Sequence, residues 1–301
     1  MRTIALSIDV AAVTGIAGTQ VAASLHLPDT LVPGDPLDLL GCLHGGGYPR
    51  SYWDARFDGF PGYSFAEWFT GRGRAVLALD HLGMGESSKP EPESLLSRAK
   101  VAAANAHAFA DVARRLAAGE WGAAGPVSVT GIGHSIGGMM IITQAAAHGG
   151  MDRVASLGWA NQAMVLGGVD PADLAKAIEP GYLASPRAAL RPFFYGPEVP
   201  LALIEADEAN SSLTPSCLGR DALTPGIVHA ASAAITVPVF VMHADIDTSP
   251  DPWGEVAFFR GSRDVTLMVL EDSAHCHNFA GLRHKLWERL DRWIISTPVT
   301  V

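Results

Sequence analysis

Apolar residues along this chain gather in short unbroken runs: Leu37–Leu43, Ala75–Leu79, Val127–Ile132, Val154–Trp159, Val237–Met242 and Val265–Leu270. Most lack the alternation of a strand with one wet face, so they predict parallel strands covered on both sides. Helical patterns lie between them. Ser94–Ala118 is rich in Ala, Leu and Arg and sets Phe109, Val112 and Leu116 at helical spacing. Ile136–His148 follows one run without a gap, and Leu282, Leu286, Leu290 and Ile294 mark a C-terminal helix. Strand and helix in alternation predict an α/β fold, a doubly wound and mostly parallel sheet with helices on both faces.

The alternation fails between residues 166 and 232. Pro171, Pro180, Pro186, Pro192, Pro197, Pro200, Pro215 and Pro225 crowd this stretch. Proline at that density breaks long helices and keeps the chain out of central strands. Leu174, Ile178, Phe193, Phe194 and Leu203 still need burial, so the stretch reads as a small insertion of short helices such as Asp173–Ile178. The expected organisation is a core of residues 1–165 and 233–301 interrupted by a helical insertion at 166–232. At the N-terminus, Met1–Val13 is fairly apolar, but Asp9 interrupts it and only Arg2 is basic, a weak match to a secretory signal. Thr19–Leu27 reads as a strand, and no segment approaches the roughly 20 apolar residues of a membrane span.

Composition narrows the partners. Of 301 residues 48% are hydrophobic and 17% charged, enough apolar material for a thick core. A formal net charge of -10 argues against nucleic acid and against docking on anionic lipid. Cys42, Cys217 and Cys276 are too few and too scattered for a disulfide framework, and no Cys/His ladder suggests structural zinc. The expectation is a cytoplasmic protein with reduced thiols, no metal and no cofactor. A homo-oligomer stays open.

The run Gly133-His134-Ser135-Ile136-Gly137 carries the chemistry. A β-type segment enters it and a helix-type segment leaves it. Glycine two residues to either side suits a turn too tight for a side chain. Such a turn lifts the Ser135 hydroxyl out of the sheet and sets the Ile136 N–H at a helix start, where it can stabilise negative charge. Ser135 is the candidate nucleophile.

Together with His44-Gly45-Gly46-Gly47, Asp80–Ser87, His243–Asp247 and Ser273-Ala274-His275, in that order, this run resembles the α/β-hydrolase superfamily over almost the whole chain. The resemblance implies a sheet of about eight strands, with a lid inserted where residues 166–232 lie. It also implies a base and an acid following the nucleophile in the order Ser, acid, His. His275 falls in the loop after the last strand and is favoured over His277. Asp247 falls after Val237–Met242 and is favoured over Asp245; the alternative acid position, after the sixth strand, holds Asn161. The glycine loop implies a second oxyanion donor, Gly46 or its neighbour Gly47, beside Ile136. His44 braces this loop, and Asp80–Ser87 shapes the fold without a chemical role. Tyr48, Trp53, His134 and Trp159 are candidates for the substrate pocket.

Three functions fit. The first is hydrolysis of a small-molecule ester, lactone or thioester through an acyl-enzyme. The second is acyl transfer or carbon–carbon hydrolysis by the same triad. The third is a non-catalytic ligand-binding protein on this fold. Epoxide hydrolases and haloalkane dehalogenases use aspartate as nucleophile, which Ser135 argues against.

Overall fold

The computed structural model describes every residue except 123, 167–169, 298, 300 and 301. Eight strands form one sheet: β1 (Arg2–Asp9), β2 (Gln20–Leu27), β3 (Leu37–Leu43), β4 (Ala75–Leu79), β5 (Val127–His134), β6 (Arg153–Leu157), β7 (Val239–Ile246) and β8 (Val265–Ala274). Their order is β1-β2-β4-β3-β5-β6-β7-β8. β2 pairs antiparallel with β1 and with β4, and every later neighbour is parallel.

The unbroken apolar runs follow from this layering. Successive strand residues point to opposite faces, so a strand covered on both sides needs an apolar residue at every position. In β3, Leu39 and Leu43 join the core on one face while Leu40 and Cys42 join the core on the other. Helices α1 (Phe65–Thr70), α2 (Arg98–Ala117) and α3 (Ile136–His148) flank the sheet, with the C-terminal helix Arg283–Ser296. α2 opens on Ser97, whose hydroxyl accepts from the Lys100 amide, and ends with Arg114 and Arg115 against the helix dipole. It buries Val101, Phe109, Val112 and Leu116 with α3 on one face. The C-terminal helix buries Leu286, Trp287 and Leu290 on the opposite face.

Some boundaries differ from expectation. β6 stops at Leu157 rather than Trp159, because Gly158 turns the chain at φ +63°. β8 continues past Leu270 to Ala274 through a register shift, with Asp272 at φ +49°. Arg2–Asp9, within the segment weighed as a weak leader, is an edge strand paired residue by residue with β2.

Between β6 and β7 lie α4 (Pro171–Ala177), α5 (Arg187–Phe194), α6 (Leu201–Ala209), α7 (Ser216–Ala222) and α8 (His229–Ala234). A two-residue ladder pairs Tyr182–Leu183 with Thr214–Pro215. α8 rests on α3 of the core. Positions 167–169 of the insertion expected at 166–232 lie outside the described residues. The three cysteines are free, and no helix among the described residues is long and apolar enough to cross a membrane.

Candidate active site

Ser135 sits at the corner between β5 and α3 with φ 56° and ψ −122°, a backbone conformation that L residues rarely adopt. Its amide donates to Leu157 O of β6 at 2.9 Å, and its carbonyl starts α3 by accepting from Gly138. The flanking glycines are sterically required. A Cβ on Gly133 would fall 2.0 Å from Gly137 O, and one on Gly137 would fall 2.1 Å from Leu43 O. The corner leaves Ser135 half-buried on the wall of a cavity of about 530 Å³, which also carries Gly46, Gly47, Ile136, Trp159 and His275.

His275 follows β8, and its Nδ1 lies 2.7 Å from Asp247 Oδ1. Asp247 follows β7 and is buried. Its Oδ1 also accepts from the Thr248 amide, and its Oδ2 accepts from the Ala244 amide and from His277 Nε2 at 2.9 Å. Burial alone would push this carboxyl up, but the His277 and His275 rings that donate to it hold it well below the usual carboxylate range. Asp247 is therefore the ionised partner of both rings. Asp245, the alternative acid, is exposed at the end of β7 and accepts from the Asp272 amide, away from His275. His277 is buried behind the pair, and burial lowers its affinity for a proton despite the adjacent carboxylate. Its Nε2 faces the carboxylate and donates to Asp247 Oδ2. That a second ring shares the acid was not legible in the sequence, where the two histidines read as rivals.

One nitrogen from each of His134, His275 and His277 lies within 4.8 Å of the others, the candidate metal-ligand set among the described residues. Each ring already spends one nitrogen on a hydrogen bond, two to Asp247 and one from His134 Nε2 to His275 O at 2.8 Å. The cluster thus packs around the candidate acid and base, Asp247 and His275. No hydrogen bond joins the Ser135 hydroxyl to His275 among those of the described residues; such contacts commonly tighten only around substrate.

The glycine loop after β3 is braced from below. His44 Nδ1 donates to Gly45 O, His81 Nε2 donates to His44 O, and burial pulls these rings down to about 4 and about 3, so both stay neutral. Asp80 accepts from the Arg50 and Glu86 amides, which fixes the Asp80–Ser87 loop beneath. Gly46 approaches the helix start so closely that a Cβ on it would meet Ile136 Cδ1 at 2.8 Å. The candidate donors Gly46 and Ile136 are thus neighbours. Gly47 is a correction: its amide donates to Thr214 Oγ1 at 2.8 Å and is already committed.

The pocket expectations need correction too. Trp159 lines the cavity, but Tyr48, Trp53 and His134 do not. Trp53 is fully buried against Tyr52 and Phe65. His134 lies under the site, stacked on Tyr52 at 4.8 Å, with its Nε2 holding the His275 carbonyl. The wall instead comes from the residues between β6 and β7, among them Leu174, Ile178, Leu190, Phe193 and Phe194. α5 also holds the candidate base: the His275 and Cys276 amides donate to Phe193 O and Phe194 O, and the Phe193 ring stacks on His275 at 4.8 Å.

Tyr48 belongs to a buried polar knot. Its hydroxyl, the Tyr195 hydroxyl and the Arg187 guanidinium all donate to Asp207 Oδ2. Arg187 and Asp207 are 5% and 1% exposed, so removing one strands the other's charge. Asp207→Ala is expected to cost about 3–5 kcal/mol of stability, read by urea or thermal unfolding. A loss under about 1 kcal/mol would mean that Arg187 finds another partner.

The sequence matches the Alpha/beta hydrolase family over residues 42–283, and the chain belongs to that family. The fold agrees with that of solved structures of low sequence identity. A thermostable carboxyl esterase from Bacillus coagulans is 15% identical, covers 99% of each chain and superposes with a TM-score of 0.68. Est1E from Butyrivibrio proteoclasticus, solved with ferulic acid bound, is 19% identical over 97% of this chain and 98% of its own, with a TM-score of 0.60. E-2-(acetamidomethylene)succinate hydrolase is 14% identical over 98% and 100%, also at 0.60. A comparison with curated proteins found no match.

Proposed function

We propose that this protein is a serine hydrolase that cleaves a carboxylic ester through an acyl-enzyme, with Ser135 as nucleophile, His275 as base and Asp247 as the acid that orients it. The observation that carries the reading is the shared cavity. Ser135 at its strained corner and His275, held by a buried carboxylate, face one apolar chamber. In this reading His275 takes the serine proton, Asp247 stabilises the imidazolium, and the amides of Gly46 and Ile136 hold the developing oxyanion. The helices between β6 and β7 act as a lid that supplies the acyl-binding wall.

The wall also indicates which esters fit. Among the described residues it carries no Lys or Arg, and Glu179 is its one carboxylate. An anionic acyl group would enter an apolar chamber without a counter-charge, with the exposed Glu179 as a like charge in its wall. Neutral, apolar acyl groups of medium length are the expected substrates, and thioesters of phosphate-bearing carriers are disfavoured. A panel of matched aryl esters tests this. Neutral butanoyl to octanoyl esters should be turned over roughly 100-fold or more faster in kcat/KM than a half-ester of a dicarboxylic acid of the same length. Equal rates would remove the charge argument, and no turnover of any neutral ester would remove the esterase reading.

A further inference from the structure

The Gly47 amide, committed to Thr214, points to a further participant. Thr214 stands 167 residues from Gly47 in the chain, on the ladder between α6 and α7. Its segment grips the Gly47 residue from both sides: the Ser212 amide donates to Gly47 O at 3.0 Å, and the Gly47 amide donates to Thr214 Oγ1 at 2.8 Å. A hydroxyl offers one proton and two acceptor positions. Thr214 uses an acceptor position on Gly47, and no acceptor among the hydrogen bonds of the described residues takes its proton. The residue is 8% exposed, and it lines the same cavity as Ser135, Ile136, Gly46 and His275. It also lies beside Gly46, because a Cβ built there would stand 3.7 Å from Thr214 Oγ1.

We propose that the Thr214 hydroxyl is a third donor of the oxyanion hole, supplied by the insertion rather than by the core. The proposal rests on the serine-hydrolase reading. As Ser135 Oγ bonds to the substrate carbonyl carbon, its proton passes to His275 and the carbonyl π pair moves onto oxygen. That oxygen then accepts from the Gly46 amide, the Ile136 amide and the Thr214 hydroxyl. When the pair returns, the bond to the leaving oxygen breaks and the alcohol departs with the proton from His275. The Gly47 amide serves by orientation, since occupying a lone pair of Thr214 turns its proton toward the cavity. The oxyanion site is then complete only while residues 212–214 are seated on the glycine loop.

Thr214→Val keeps the shape but removes both the proton and the acceptor of the Gly47 amide, and Thr214→Ser restores both. For a neutral ester, Thr214→Val should lower kcat by roughly 10²–10³-fold with KM within about threefold. Affinity for a trifluoromethyl ketone, which forms a tetrahedral adduct on serine, should fall by a similar factor. Thr214→Ser should recover most of both. Unchanged kcat, a change confined to KM, or a folded Thr214→Ser as impaired as Thr214→Val would each overturn the proposal. If Thr214→Val does not fold, Thr214→Ala carries the same comparison. Fluorophosphonate labelling of the wild type separates the two claims. An unlabelled and inactive wild type sinks the hydrolase reading, whereas a labelled, active wild type with undiminished Thr214→Val sinks Thr214 alone.

Discussion

Ser135→Ala is expected to lower ester turnover by about 10⁶-fold while leaving the fold and its unfolding midpoint nearly unchanged. In the proposed mechanism the substitution removes the atom that forms the acyl bond, and no other described residue of the cavity occupies its position. The corner should persist, because it is imposed by the glycine contacts and by the Ser135 amide on β6 rather than by the side chain. The hydroxyl itself makes no hydrogen bond to the described residues whose loss would destabilise the protein. Any residual rate would come from the oxyanion donors acting on water. Steady-state kinetics on a neutral aryl ester reads the effect. Activity above about 1% of wild type would move the nucleophile elsewhere.

Asp247→Asn is expected to cost on the order of 10⁴ in kcat, with Asp245→Asn near neutral. Each carboxylate oxygen of Asp247 receives one imidazole N–H and one backbone N–H: His275 and Thr248 on Oδ1, His277 and Ala244 on Oδ2. An asparagine NH₂ faces two donors whichever way it turns. A ring can change tautomer to accommodate it, but a backbone amide cannot. The variant therefore leaves a buried N–H unpaired and withdraws the charge that, in the proposed mechanism, stabilises the His275 imidazolium. Asp245 is exposed and among the described residues holds only the Asp272 amide, so its neutralisation should leave the rate within about threefold. If Asp245→Asn proved the costly variant, the acid would be misassigned.

Asp247 also sets a pH limit. Its carboxyl is depressed in the fold, so the unfolded chain binds the extra proton first. The stability it contributes is present above the ordinary carboxylate range and is lost as pH falls through the lower folded value.

The core was legible because its strands are covered on both faces. Leu37–Leu43 must be apolar throughout when alternate residues enter opposite cores, and such a run is hard to mistake. Edge strand β1 does carry a signal, with Ile4, Leu6 and Ile8 in period-2 alternation against the core, but the apolar stretch Met1–Val13 that contains it also fits a weak leader. The extension of β8 depends on Asp272 at positive φ, which no periodicity announces. At the site, Ser135 could be placed because the glycines around it answer to local sterics. Gly47, Tyr48 and Thr214 could not, since their roles depend on contacts with residues far along the chain. Aromatic identity also misled: Tyr48 and Trp53 neighbour the glycine loop in sequence, yet one completes a buried polar knot and the other fills the core.

The residues between β6 and β7 do more than cover the cavity. They supply most of its wall, hold the His275 loop through Phe193 and Phe194, and grip Gly47. The position of α5 and of residues 212–214 is thereby coupled to the geometry of His275 and the glycine loop.

The central claim is that the hydroxyl at position 135 is the activated nucleophile. Mass spectrometry of the intact protein and its peptides after reaction with a fluorophosphonate tests it most directly. The account predicts a single adduct, confined to the peptide containing Ser135, that forms as ester turnover is lost. An adduct on another residue, or full turnover with Ser135 unmodified, would contradict it.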